Sequence, residues 1–155
     1  MTFESRQDGQ DPHEIGRFVA AQEGTIDAVR QELRAGRKTT HWMWFVFPQV
    51  EGLGSSPMAE RYAISSLDEA RAYLEHPVLG PRLQECSKLL LEAKEASIER
   101  ILGTPDDLKL RSSMTLFALV SEPGSVFERV LERFFEGAPD LATQAVMKRW
   151  AAGRQ

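Results

Sequence analysis

Helix start and stop signals recur along almost the whole chain, and they constrain its fold more than any other sequence feature. Ser66 with Glu69, and Ser125 with Glu128, match the capping box that opens an α-helix. Further helix starts are expected at Asp11-Pro12, Thr25, Ser56-Pro57, Pro81, Ser97, Thr104-Pro105 and Asp140. Apolar residues recur at helical spacing between these signals. The pattern predicts an all-α fold, a single compact domain of about seven or more short helices with no substantial sheet.

Length and composition fit one domain. The chain has 155 residues, of which 42% are hydrophobic and 27% charged, as in ordinary globular proteins. Residues 1–10 carry no apolar anchor beyond Phe3, so we expect a disordered lead-in before a helical domain over residues 11–152. This lead-in lacks the apolar core of a signal peptide, and the run Trp42 to Phe47 is too short to cross a bilayer. We therefore expect a cytoplasmic protein.

The charge balance and the cysteine count exclude several classes of function. With 19 basic and 23 acidic residues the net charge is −4, so bulk nucleic-acid binding and a membrane partner are not expected. Cys86 is the sole cysteine, which excludes an intramolecular disulfide and a zinc site built on cysteines. His13, His41 and His76 lack metal-ligand spacing. We predict no metal and no cofactor.

The stretch Lys38 to Ser56 has the highest density of aromatic and polar residues. The period of its aromatic run is ambiguous between a buried strand, in which Trp42 and Trp44 would share a face, and a short helix, in which they would diverge. Aromatic faces stack on flat ligands, and glycines let backbone N–H groups approach phosphate. His41 is the one imidazole in this stretch, a side chain that suits proton transfer near neutral pH. These residues predict a pocket for a planar or phosphorylated small molecule.

The same stretch has a plainer interpretation. Aromatic side chains dominate hydrophobic cores, so an aromatic run is more often core than a binding platform. Gly52 and Gly54 have no third glycine in register and no βαβ context, so they form neither a dinucleotide fingerprint nor a P-loop. These two glycines alone are therefore weak evidence for a phosphate-binding loop.

A second polar cluster extends from Asp106 to Thr115. On a helix, Lys109, Ser112 and Ser113 share a face, where a lysine beside serines can bind phosphate or help to activate a hydroxyl. The alternative is a surface ion pair with two packed serines. No Ser-x-x-Lys order or nucleophile elbow supports a covalent serine enzyme.

Together the two clusters define a candidate site. Arg37, Lys38 and Lys109 would hold the anionic part of a phosphate-bearing or nucleotide-like ligand. Trp42 or Trp44 would stack on it, and His41 would act as the acid or base if the protein is an enzyme. The other candidate ligand-binding residues are Gln49, Gly54, Ser55 and Ser113. The rival hypotheses are a non-catalytic interaction module, in which Trp42 to Phe47 form an exposed hot spot, and an accessory domain whose motifs serve folding only.

The motifs also carry a family resemblance. They are Gly36-Arg37-Lys38 with His41-Trp42-Met43-Trp44-Phe45-Val46-Phe47-Pro48-Gln49 and Gly52-Leu53-Gly54-Ser55, then His76-Pro77-Val78-Leu79-Gly80, Ser112-Ser113-Met114-Thr115-Leu116-Phe117 and Phe134-Phe135-Glu136-Gly137. Over about residues 11–147 the chain resembles the family called domain of unknown function 1810. The resemblance implies a compact, mainly helical fold and no established activity. Members are sometimes labelled calpastatin, but calpastatin is an extended disordered inhibitor, whereas this chain has capped helices and a core.

Overall fold

The computed structural model describes residues 11–153, which form ten α-helices, so the predicted all-α single domain is confirmed. The helices are α1 (Gly16–Glu23), α2 (Ile26–Ala35), α3 (Met43–Val46), α4 (Pro57–Arg61), α5 (Leu67–Glu75), α6 (Leu79–Glu92), α7 (Ile98–Leu102), α8 (Asp106–Leu119), α9 (Val126–Phe135) and α10 (Leu141–Gly153). The predicted disordered lead-in lies outside the described residues. None of the helices in the described part of the chain is long and apolar enough to cross a membrane.

The serine caps form as the sequence predicts. Ser56, Ser66, Ser97 and Ser125 each accept a hydrogen bond from the backbone N–H three residues later. Four other predicted starts differ. Helix α6 begins at Leu79, two residues before Pro81, and α8 begins at Asp106 without a side-chain cap from Thr104. Asp11 does bind the backbone N–H groups of Ile15 and Gly16, but the intervening turn delays α1 to Gly16. Thr25 makes no cap bond, because its hydroxyl donates instead to the carbonyl of Ala21 at 3.0 Å.

The ambiguous aromatic segment forms a single helical turn, α3. Trp42 and Trp44 accordingly diverge: Trp42 is 1% exposed, whereas Trp44 is half-buried. Strand-like pairing within residues 11–153 is limited to one isolated parallel bridge between Val50 and Ile64. This bridge ties the loop after α3 to the segment after α4.

A buried polar hub joins the helices beneath this loop. Gln22 on α1 donates to the carbonyl of Phe45 at 2.7 Å and to the hydroxyl of Tyr73 at 3.1 Å. Tyr73 in turn donates to the same carbonyl at 3.1 Å. Burial raises the pKa of the Tyr73 phenol, so it stays a neutral donor. The hub fixes α3 against α1 and α5.

Helix α8 runs through the centre of the domain and is buried on almost every side along its second half. It packs against α9, α10 and α7. Ser112 and Ser113, which the sequence places beside Lys109, are therefore buried in the core. The Ser112 hydroxyl hydrogen-bonds to that of Thr143 on α10 at 2.6 Å.

Candidate functional site

A groove of about 1070 Å³ lies in the surface of the described part of the chain. Its walls come from the residues before α1, the loop over residues 49–54, α4 with the residues after it, and the last turns of α10. Arg17 on α1, Trp44 on α3 and Glu69 on α5 complete the lining. Its volume lies near the upper end of ordinary small-molecule sites, about 300–1,000 Å³. We call this cavity the groove.

Aromatic rings and unpaired cations line the groove together. Trp44 and Trp150 are half-buried, and Tyr62 is buried beneath them in the lining. Arg61 and Arg149 are exposed, and within residues 11–153 neither guanidinium forms a hydrogen bond or ion pair. The guanidinium carbon of Arg61 lies 5.5 Å from the centroid of the Tyr62 ring. Both arginines can therefore bind a ligand without giving up a partner within the described chain.

Arg17 holds together the segments that line the groove. Its guanidinium donates to the carbonyls of His13, Glu14, Arg61 and Ala63 at distances between 2.7 and 3.0 Å. It also donates to the Glu69 carboxylate at 2.7 Å, and that carboxylate is only 3% exposed. The other oxygen of Glu69 accepts from the backbone and hydroxyl of Ser65. Because these five bonds use its donors, Arg17 holds the lining in place and is not free for a ligand.

Carboxylates also line the groove. Glu14, Glu51 and Glu60 are exposed and form no ion pair with any described residue. Glu14 has a left-handed backbone with φ of 52°, an uncommon conformation for a residue other than glycine. The groove thus offers both cations and carboxylates, so a highly charged anion would be repelled by part of its lining.

Three of the residues predicted from the sequence line the groove: Trp44, Gln49 and Gly54. The carbonyl of Gln49 accepts from the backbone of Ile64 at 2.8 Å, which fixes the start of the loop. A Cβ atom added at Gly54 would lie 2.6 Å from the Cβ of Ala59, so only glycine lets the loop approach α4 this closely.

Lys38, Trp42 and Lys109 meet outside the groove, around the carboxylate of Asp106. The Nζ atoms of Lys38 and Lys109 lie 2.9 and 3.6 Å from its oxygens. Lys38 also lies over the Trp42 ring at 5.2 Å, and Lys109 lies over the Trp44 ring at 5.4 Å. The structure therefore brings the two sequence clusters together, but around a carboxylate rather than a cavity.

Glu32 holds the tract that contains Trp42. Its carboxylate accepts from the backbones of Thr39 and Thr40 at 2.8 and 3.1 Å. It also accepts from the Thr40 hydroxyl at 2.6 Å and the Trp42 indole at 2.9 Å. Burial alone would raise the pKa of Glu32, but these four donors lower it to about 2. Trp42 is thus enclosed in the core, where it cannot stack on a ligand.

The remaining predicted residues lie elsewhere. His41 and Ser55 are exposed and do not line the groove, so the acid–base role of His41 stays a prediction. Arg37 lines a separate depression at the end of α2. Ser113 is fully buried, and its hydroxyl has no hydrogen-bond partner among the described residues.

The predicted exposed hot spot at Trp42 to Phe47 is not formed, because all of its residues except Trp44 are buried. Hydrophobic collapse of this segment onto the core explains the difference. Large exposed apolar side chains in the described chain are instead scattered over Leu53, Leu108, Leu119 and Leu141.

Sequence reasoning missed the groove residues on α4 and α10. Trp150 fits the apolar stripe of the last helix, where a core position is the ordinary interpretation. Arg61 and Arg149 carry no motif at all. The adjacent arginine and tryptophan near the end of α10 are the one sequence signal that could have suggested a ligand-binding surface.

Comparisons with known proteins agree with this fold. The family model described as "Protein of unknown function (DUF1810)" matches residues 12–147. The chain is also similar to the crystal structure of the conserved hypothetical protein Rv1873 from Mycobacterium tuberculosis, with a TM-score of 0.87 and 54% sequence identity. That match covers 89% of this chain and 99% of the other. No curated protein matched the chain.

Proposed function

The chain belongs to the DUF1810 family, whose function is unknown, and from its groove we propose that it binds a small planar molecule with one anionic group, such as a nucleoside monophosphate. One observation carries the proposal: Trp44 and Trp150 line the same groove as two arginines that have no ion-pair partner in the described chain. An aromatic platform beside free guanidinium groups is suited to a ligand with one flat and one anionic part.

The two tryptophans would supply most of the affinity. Stacking of a base on an aromatic side chain contributes about 1–3 kcal/mol, and it does not require a particular base. Trp44 on α3 and Trp150 on α10 both pack against the hydrophobic core, so both rings stand on helices rather than on free loops. Such support favours binding, because little side-chain freedom remains to be lost.

Charge selects the anionic part of the ligand. Arg61 and Arg149 can each form paired hydrogen bonds to phosphate or carboxylate oxygens. Glu51 and Glu60 oppose a large negative charge but can accept hydrogen bonds from hydroxyl or amino groups of the ligand. The groove therefore favours a monophosphate over a triphosphate.

A thermal-shift screen tests the proposal. The purified protein is heated with nucleosides, nucleoside mono- and triphosphates, ADP-ribose, sugar phosphates and plain phosphate. A ligand at about a hundred times its dissociation constant stabilises the fold by roughly 2.7 kcal/mol, which is readily measured. We expect the largest shift from a monophosphate.

Matched variants locate the binding site. Trp150→Ala and Arg149→Ala should each reduce the ligand-induced shift. Lys148→Ala removes an exposed cation from the same helix that does not line the groove, and it should leave the shift unchanged. No shift with any compound, or equal shifts in all three variants, would contradict the proposal.

A further inference from the structure

A second concavity, of about 810 Å³, lies at the end of α2. It is lined by Ala35, Gly36, Arg37, Lys94, Glu95 and Arg100, and we call it the basic depression. It shares no lining residue with the groove. Anything that binds here would therefore bind independently of a groove ligand.

Positive charge is concentrated in the basic depression. Arg37, Lys94 and Arg100 are exposed and come from the α2–α3 connection, the α6–α7 connection and α7. Glu95 is the one acid in this lining, and its oxygens are engaged by the Ser97 backbone at 2.9 Å and by Arg100 at 3.9 Å. Acidic residues outnumber basic ones in the whole chain, 23 to 19. The excess of basic residues in the depression is therefore opposite in sign to the net charge of the chain.

The backbone fixes two of the three cations around the depression. Gly36 ends α2 in the left-handed region, with φ of 75°. The backbone of Lys38, the residue after Arg37, donates to the carbonyl of Ile101 at 2.6 Å, which binds this turn to α7. Arg37 and Arg100 are therefore held on facing segments rather than on independent loops.

The end of α2 does not repel an anion as strongly as an open helix end would. A free C-terminus exposes carbonyl groups and the negative end of the helix dipole. Here the carbonyls of Glu32 and Leu33 accept from the backbones of Arg37 and Gly36 at 3.0 and 3.1 Å. Two of the four terminal carbonyls of α2 are thus already hydrogen-bonded within the chain.

We infer that the basic depression is a second binding site, which takes a phosphoryl group carried by a small molecule or by pyrophosphate. Two guanidinium groups can each form paired hydrogen bonds to phosphate oxygens, and the Lys94 ammonium adds a third charge. Because all three side chains are exposed, binding must weaken as the salt concentration rises.

Isothermal titration calorimetry with pyrophosphate in low-salt buffer tests this site. Charge-assisted hydrogen bonds are strong enough that Lys94→Ala and Arg100→Ala should each weaken binding by about tenfold. Lys148→Ala, which removes an exposed cation from α10, should leave the affinity unchanged. Arg149→Ala should leave it unchanged too, and this separates the site from the groove.

The inference is overturned if the folded wild-type protein gives no heat with pyrophosphate. It is equally overturned if Lys148→Ala weakens binding as much as Lys94→Ala, because attraction would then be a property of the whole surface. Circular dichroism of each variant confirms that it is folded. Loss of binding in Arg149→Ala alone would assign the pyrophosphate to the groove and would also overturn the inference.

Discussion

Glu32→Gln should destabilise the protein strongly at neutral pH. The substitution keeps the size of the side chain but replaces a carboxylate that accepts four hydrogen bonds with an amide that has one acceptor oxygen. The pKa of Glu32 falls from 4.5 to about 2 on folding. At about 1.36 kcal/mol per pKa unit, this shift means that the ionised carboxylate contributes ~3 kcal/mol to the free energy of unfolding.

The contribution has a defined pH dependence. Because the folded-state pKa of Glu32 is lowered, its stabilisation is fully present above about pH 4.5 and is lost as the pH falls towards 2. At pH 3 the linkage relation leaves roughly half of this contribution. The stability gap between wild type and Glu32→Gln should therefore shrink by about half between pH 7 and pH 3.

Urea denaturation at both pH values measures this gap, and thermal unfolding should show a difference of roughly 6–12 °C at pH 7. Glu122→Gln changes an exposed carboxylate and serves as the control for charge alone. A gap that is equally large at pH 3 and pH 7 would refute the reasoning, because the stabilisation would then not come from the ionised carboxylate.

Two further substitutions test how the helices and the groove are held. Gly80→Ala would place a Cβ atom 2.0 Å from the carbonyl oxygen of Leu74, so we expect a loss of about 3 kcal/mol in urea denaturation. Gly24→Ala, which meets nothing within 4 Å, should be neutral or slightly stabilising, and equal losses would show that the close packing of Gly80 is unimportant. Arg17→Lys keeps the charge opposite Glu69 but forfeits most of the five hydrogen bonds, so it should cost about 2–3 kcal/mol. If Arg17→Lys unfolds at the same urea concentration as wild type, Arg17 does not frame the groove.

The helical fold could be predicted because its signals are local. A serine cap needs only the backbone N–H three residues ahead, so Ser66 and Ser125 mark the starts of α5 and α9 correctly. Glu69 shows the limit of this reasoning. The sequence assigns it to a capping box, whereas its carboxylate accepts from Ser65 and from Arg17 on α1, a contact that no local pattern encodes.

The candidate site could be predicted only in part. Trp44 and Gln49 do line the groove, but the sequence could not distinguish Trp44 from the buried Trp42, since that depends on the backbone period of a four-residue segment. Lys38 and Lys109 do meet, yet their common partner is Asp106, which the sequence places at the start of the second polar cluster without indicating that it would pair with both lysines. Exposure and charge pairing are tertiary properties, and they decide which side chains remain free for a ligand.

The groove is bordered by both ends of the described chain, with Pro12 and His13 on one side and Arg149 and Trp150 on the other. The first and the last turns of the described chain therefore lie beside the same groove. The same proximity has a practical use: an environment-sensitive dye attached to the thiol of a Gly153→Cys variant would lie one helical turn from Trp150 and would report when the groove fills.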